Sequence, residues 1–218
     1  MTYNEIKNNR EVRELIRQGN ENLGTLGYTD HAEAHVTMVA QRAGNLLQCL
    51  GYSDHDVELV KIAGFLHDIG NAVNRSRHGE YGGLLAYSIL KQTDMPLTDA
   101  ITVMTAISNH DESTGGAVNP ISAALIIADK TDVRRSRVRT KEPTAFDIHD
   151  RVNYAVIDSH LRVDVEEKVI SLNLQVDESI CTMYDYFDIF LARMQMCRHA
   201  AGVLGAVFKL TVNGGKVL

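Results

Sequence analysis

Two hydrophobic periods divide this chain of 218 residues, and they limit its fold more than any other property of the sequence. Up to about residue 140 the apolar residues recur at helical spacing; beyond it many of them alternate with polar ones, as in strands. The first pattern predicts a helix over 4–18, with Ile6, Val12, Leu15 and Ile16 on one side, then a loop through Gly19, Gly24 and Gly27. Asp30 is the expected N-cap of a second helix that stops at Gly51, and Ser53 or Asp54 caps a third that carries His67 and Asp68 near its C-terminus. Further helices are expected over 80–92 and 98–110, and Asn119-Pro120 opens a sixth, strongly apolar one that ends near Asp129.

Lys141-Glu142-Pro143 reads as a linker, followed by a short helical stretch over 147–153. Alternation predicts strands over 157–165 and 169–176, joined by a turn at Glu166-Glu167-Lys168. A long helix over 179–204 and a last strand over 207–212 complete a ββαβ unit. The expected fold is therefore mainly α, with a helical body over 1–140 and a small α+β C-terminal subdomain over 141–218.

Composition excludes some functions. A formal net charge of -6 argues against a nucleic-acid-binding surface. Cys49, Cys181 and Cys197 are scattered and odd in number, which fits a reducing compartment rather than a disulfide framework. The N-terminus lacks the basic start and apolar core of a signal peptide, and no apolar run reaches the roughly 20 residues of a membrane span. The expectation is a cytoplasmic protein without membrane contact.

Chemistry concentrates at Phe65-Leu66-His67-Asp68-Ile69-Gly70. Val57, Val60, Ile62, Ala63, Phe65 and Leu66 lead into the His-Asp pair, so it should emerge at a buried face. A buried carboxylate is costly unless compensated, and a divalent cation shared with an imidazole is one compensation. His35 shares a helix face with Met38, Val39, Arg42 and Leu46, which turns its ring toward the core. Asp129 is conspicuous at the end of an otherwise apolar helix. His31 and His55 neighbour helix caps and are expected at the surface.

The order His35 … His67-Asp68 … Asp129 over a helical body resembles the HD-domain metal-dependent phosphohydrolase superfamily, across roughly residues 30–135. The resemblance implies that these four residues bind one divalent metal. It further implies that His78 and His110 are the additional histidines of binuclear members, with Asp68 bridging two ions. One subgroup does not fit: no lysine follows the pair closely and no Gly-Tyr-Pro occurs, so cleavage of cyclic dinucleotides in the manner of HD-GYP enzymes is not expected.

Mixed nitrogen and oxygen donors favour Fe, Mn, Co, Ni or Zn over Mg, as one or two ions. Such a cation lowers the pKa of water, toward about 7 in the best cases, and Asp68 is the expected group to orient that water or take its proton. Beyond Asp129 runs a basic stretch, of which Lys130, Arg134 and Arg137 are the expected phosphate contacts. The favoured function is a phosphohydrolase acting on a phosphomonoester or phosphoanhydride, a nucleotide or other small phosphorylated metabolite. The alternative is a non-catalytic, metal-stabilised sensor of the same type. The C-terminal subdomain offers strands that could pair across a two-fold axis to form a homodimer.

Overall fold

The computed structural model describes residues 1–139 and 148–218; the predicted linker at Lys141-Glu142-Pro143, and Asp147 at the start of the predicted short helix, lie outside the described residues.

Asn9 breaks the first predicted helix in two. Its side chain accepts the backbone N–H groups of Glu11 and Val12 and so starts a new helix, giving α1 (Tyr3–Lys7) and α2 (Arg10–Thr25). α2 runs through Gly19 and Gly24, where a loop was expected. Gly19 is accounted for by packing: a Cβ there would meet Ala72 N at 3.1 Å and Asn71 Cβ at 3.2 Å. Gly27, at φ 83°, does form the expected turn.

α3 (Glu33–Cys49) starts at Ala32 rather than at Asp30, whose carboxylate accepts the Ala32 N–H at 2.6 Å one turn earlier. α4 (Asp54–Leu66) is capped by Ser53, which accepts the Asp56 N–H at 3.1 Å, and Asp54 and Asp56 suit the positive end of its dipole. A 3-10 turn (Ile69–Ala72) leads on to α5 (His78–Leu90) and α6 (Leu97–Ser108), shifted by two residues or fewer from the expected ends.

α7 (Pro120–Lys130) opens as expected, with a capping box between Asn119 and Ser122 and Pro120 in the first turn. Every residue from Ile121 to Ala128 is buried, and the helix touches α3, α4, α6 and α9. A helix that is apolar all round belongs at the centre of a core. α7 therefore delivers whatever stands at its C-terminus to the middle of the molecule.

After a 3-10 turn (Arg135–Arg137), α8 (Ile148–Ala155) leads into β1 (Val156–Asp164) and β2 (Val169–Val176). These form the predicted antiparallel hairpin, with Leu161 opposite Leu172 and Val163 opposite Ile170. α9 (Met183–Val203) begins at a Thr182 cap, four residues later than expected, and crosses back so that β3 (Val207–Val212) lies parallel to β2. A short β4 (Gly215–Lys216) extends the sheet to the order β1-β2-β3-β4. It follows Asn213 and Gly214, both at positive φ (50° and 81°), the dipeptide and geometry of a two-residue hairpin turn.

The fold is mainly α with a small C-terminal sheet. One continuous apolar core runs through both, because Tyr186, Phe190, Met194 and Cys197 of α9 are buried on the side of the molecule that packs on α7 and β3. Among the described residues no helix is long and apolar enough to cross a membrane.

Candidate metal centre

Two close approaches pull the ligand-bearing segments together. α3 and α4 touch backbone to backbone at Gly64, where a Cβ would lie 2.7 Å from Ala40 Cα. That contact sets His35, near the start of α3, across from His67, which follows the last turn of α4. At Gly70 a Cβ would lie 2.0 Å from His78 O and 2.5 Å from Gly82 N, so any side chain would push α5 away. The 3-10 turn thereby seats His78 beside Asp68. His110 comes from the end of α6 and Asp129 from the end of α7.

The side chains converge on one point. His35 Nε2 lies 3.6 Å from Asp68 Oδ2 and 3.4 Å from Asp129 Oδ1. His67 Nε2 lies 3.2 Å and 3.6 Å from the same two oxygens. His78 Nε2 is 3.6 Å from Asp68 Oδ1 and 3.2 Å from His110 Nε2. All six residues expected to bind metal are thus assembled, five of them buried and Asp129 nearly so.

Each ring is fixed through its other nitrogen. His67 Nδ1 donates to Gly64 O (2.8 Å), His110 Nδ1 to Ile107 O (2.7 Å) and His78 Nδ1 to Arg75 O (3.1 Å). His35 Nδ1 faces Asp132 Oδ2 at 2.7 Å. Donation at Nδ1 leaves a lone pair on each Nε2 aimed inward, the arrangement found for histidines that bind metals. His35 Nε2, His67 Nε2 and Asp68 Oδ2 are buried with no hydrogen-bond partner. Buried polar atoms are rarely left so, and lone pairs facing carboxylate oxygens need a cation between them. The donor set fits a divalent ion: His35, His67 and Asp129 make one group of ligand atoms within 4.8 Å of one another, and His67, Asp68 and His110 another.

The electrostatics of the cluster carry the same message. Burial disfavours a charge on His67, but Asp68 and Asp129 outweigh it and lift its pKa to about 10. Burial, with His78 and His67 beside it, presses His110 down to about 3. Asp68 and Asp129 stay ionised: burial opposes this, yet His67 and, for Asp129, Lys130 hold both carboxyls well below the usual range.

Asp68, His78, His110 and Asp129 line a polar pocket of about 360 Å³. Lys130 and Arg137 line it, and Arg134 does not. Lys130 Nζ is paired with Glu112 at 2.6 Å and Asp129 at 3.0 Å, whereas Arg134 clamps Asp132 with Nε at 2.5 Å and Nη2 at 3.1 Å. Arg137 donates to Asp30 O and Asp132 O from a buried position.

Other pocket residues were not singled out from the sequence. His31, expected at the surface, lines the pocket with its ring 5.4 Å from that of His35; Thr29 O holds its Nδ1 at 2.7 Å. Its place four residues before His35 was the available signal. Asp111, one residue beyond His110, faces His78 Nε2 at 3.5 Å. Arg193 of α9 pairs with Glu112 at 2.8 Å and brings the C-terminal unit to the pocket wall. His55 is exposed, as expected.

This chain resembles known proteins. A protein of Methanocaldococcus jannaschii, described as uncharacterized protein MJ1020, is 29% identical over 191 residues, which span 77% of this chain and 71% of that one. Among solved structures, a chain described as a predicted HD superfamily hydrolase from an uncultured Thermotogales bacterium aligns with a TM-score of 0.45 at 21% identity, covering 57% of this chain and 68% of its own. The family model of the HD domain matches residues 33–152, which contain all six converging side chains, and the chain therefore belongs to the HD-domain family.

Proposed function

We propose that this chain is a metal-dependent phosphohydrolase that cleaves a phosphomonoester or phosphoanhydride of a small substrate, a nucleotide or related metabolite. One observation carries the reading: Asp68 and Asp129, which face the unpartnered Nε2 atoms of the buried His35 and His67, line a pocket whose wall carries cationic side chains.

His35, His67, Asp68 and Asp129 would hold a divalent ion, and their mixed imidazole and carboxylate donors suit Fe, Mn, Co, Ni or Zn better than Mg. When bound, the ion supplies Lewis acidity, which makes water a stronger acid and draws charge from a phosphate oxygen. The protein's own part is orientation. Asp68, held ionised, accepts a hydrogen bond from the attacking water and aligns it with phosphorus. Lys130 stays charged because Asp129 and Glu112 outweigh the effect of its burial. With Arg137 it places positive charge where phosphate oxygens would rest. The 360 Å³ of space matches a small ligand rather than a polymer.

The test is elemental analysis together with turnover on a panel of phosphate compounds, for the wild type and Asp68→Ala. Bound metal and hydrolysis that both disappear in the variant support the reading. Metal retained by the wild type without turnover on any phosphate compound would instead favour the non-catalytic sensor.

A further inference from the structure

The two ends of the histidine cluster are not equivalent. At the His35 end, three buried ligand atoms have no partner. At the His78 end a cation is already present: Arg75 Nη1 lies 3.3 Å from His78 Nε2 and 3.4 Å from Asn71 Oδ1. A guanidinium only donates, so it meets the His78 lone pair with a positive charge. Asn71 in turn donates to Asp68 Oδ1 at 2.9 Å, which links Arg75 to the oxygen that a second ion would need.

Arg75 is held in place by more than these bonds. Its guanidinium stacks over the ring of Tyr28, 5.3 Å from the centroid. Its backbone carbonyl accepts from His78 Nδ1 at 3.1 Å, so one residue both fixes the His78 ring and faces its free nitrogen. Asn71, His78 and Tyr28 are neutral partners, which leaves the charge of Arg75 directed at the cluster.

We infer that Arg75 takes the place of a second metal ion: the wild-type chain holds one divalent cation, at His35, His67, Asp68 and Asp129, and the Arg75 guanidinium is the fixed positive charge at the His78–His110 end. The inference rests on reading the cluster as a metal centre. Arg75 Nη1 occupies the His78 Nε2 lone pair that a second ion would need as a ligand, so Arg75 and a second ion compete for the same atom.

The experiment is titration of the metal-free full chain with Mn²⁺, followed by calorimetry, elemental analysis and electron paramagnetic resonance. The wild type should take up one ion per chain and give the spectrum of an isolated Mn²⁺. Arg75→Met, which removes the charge and keeps the length, should take up two ions and show a spin-coupled spectrum. Its second site should bind at least about tenfold more tightly than any second site of the wild type. Arg75→Gln should behave like Arg75→Met and guards against a fold defect in either one, whereas Arg75→Lys should remain at one ion. Two ions in the wild type with a coupled spectrum, or one ion in both neutral variants, would overturn the inference and leave the metal centre standing. No ion in the wild type would overturn both.

Discussion

The corner at Gly64–Asn71 and the stretch from Asp129 to Arg139 are both rich in polar residues, yet they are organised in opposite ways. In the corner, neighbours share a purpose. Gly64 O orients His67, His67 Nε2 faces Asp68, and Asn71 donates to Asp68. In the later stretch, like charges scatter to separate tasks. Lys130 pairs with Glu112, Arg134 clamps Asp132, Arg135 lies over Tyr154, Arg137 enters the pocket and Arg139 reaches back to Tyr28 O. A ligand motif is defined by lone pairs that must meet, so spacing carries its meaning. A run of cations is defined only by charge, and each member goes to whichever acceptor lies within reach.

That contrast is sharpest at His67. His67→Ala deletes a donor to the ion, and affinity for Mn²⁺ is expected to fall by more than the roughly hundredfold that loss of an outer partner costs. Calorimetry measures it, and undiminished binding would remove His67 from the ligand set.

The corner should also respond to pH in a way the basic stretch does not. In the metal-free protein His67 titrates at about 10, above its ordinary value of 6.5. Its protonated form stabilises that state fully below pH 6.5, and this contribution is lost as pH rises through about 10. An incoming ion must displace the same proton. Apparent affinity for Mn²⁺ should therefore climb roughly tenfold per pH unit within this window. A flat profile would mean that no proton leaves His67 when metal binds.

Asp132 lies between the two regions. It is fully buried, belongs to the later stretch, and orients His35 through Nδ1. Burial opposes its charge, but the His35 hydrogen bond, Arg137 and Arg134 hold its carboxyl well below the usual range. Asp132→Asn should weaken metal binding by about 10- to 100-fold while leaving every direct ligand in place. Equal affinity would show that the ring of His35 is fixed by packing alone.

Much of this was readable beforehand, and for identifiable reasons. Helical periodicity and the Asn119-Pro120 cap predict α7, and the family resemblance of His35, His67, Asp68 and Asp129 singles out side chains that do converge. The missing parts depended on contacts between distant segments. Gly19 looked like a loop residue because its packing partner, Ala72, is far away in sequence. β4 escaped notice although Asn213-Gly214 is a strong hairpin signal, because the strand beyond it has only two residues. Arg193 could not be tied to the site, since nothing local in α9 says that it will meet Glu112.

Arg134 gives the smallest expected effect and separates the two regions most clearly. The sequence assigns it to phosphate, as one of several cations beyond Asp129. Its position in the structure leads to a different expectation, because both of its hydrogen bonds go to Asp132 and its side chain is 39% exposed. On the proposed reading it would be a positioning residue two steps from the ion, acting through Asp132 on His35. Solvent screening limits what such a partly exposed pair contributes, so Arg134→Ala should weaken Mn²⁺ binding by only about two- to fivefold. The Michaelis constant for a phosphorylated substrate, measured at saturating metal, should not change. A raised Michaelis constant with unaltered metal affinity would return Arg134 to the phosphate, and with it the idea that the basic stretch acts as a unit.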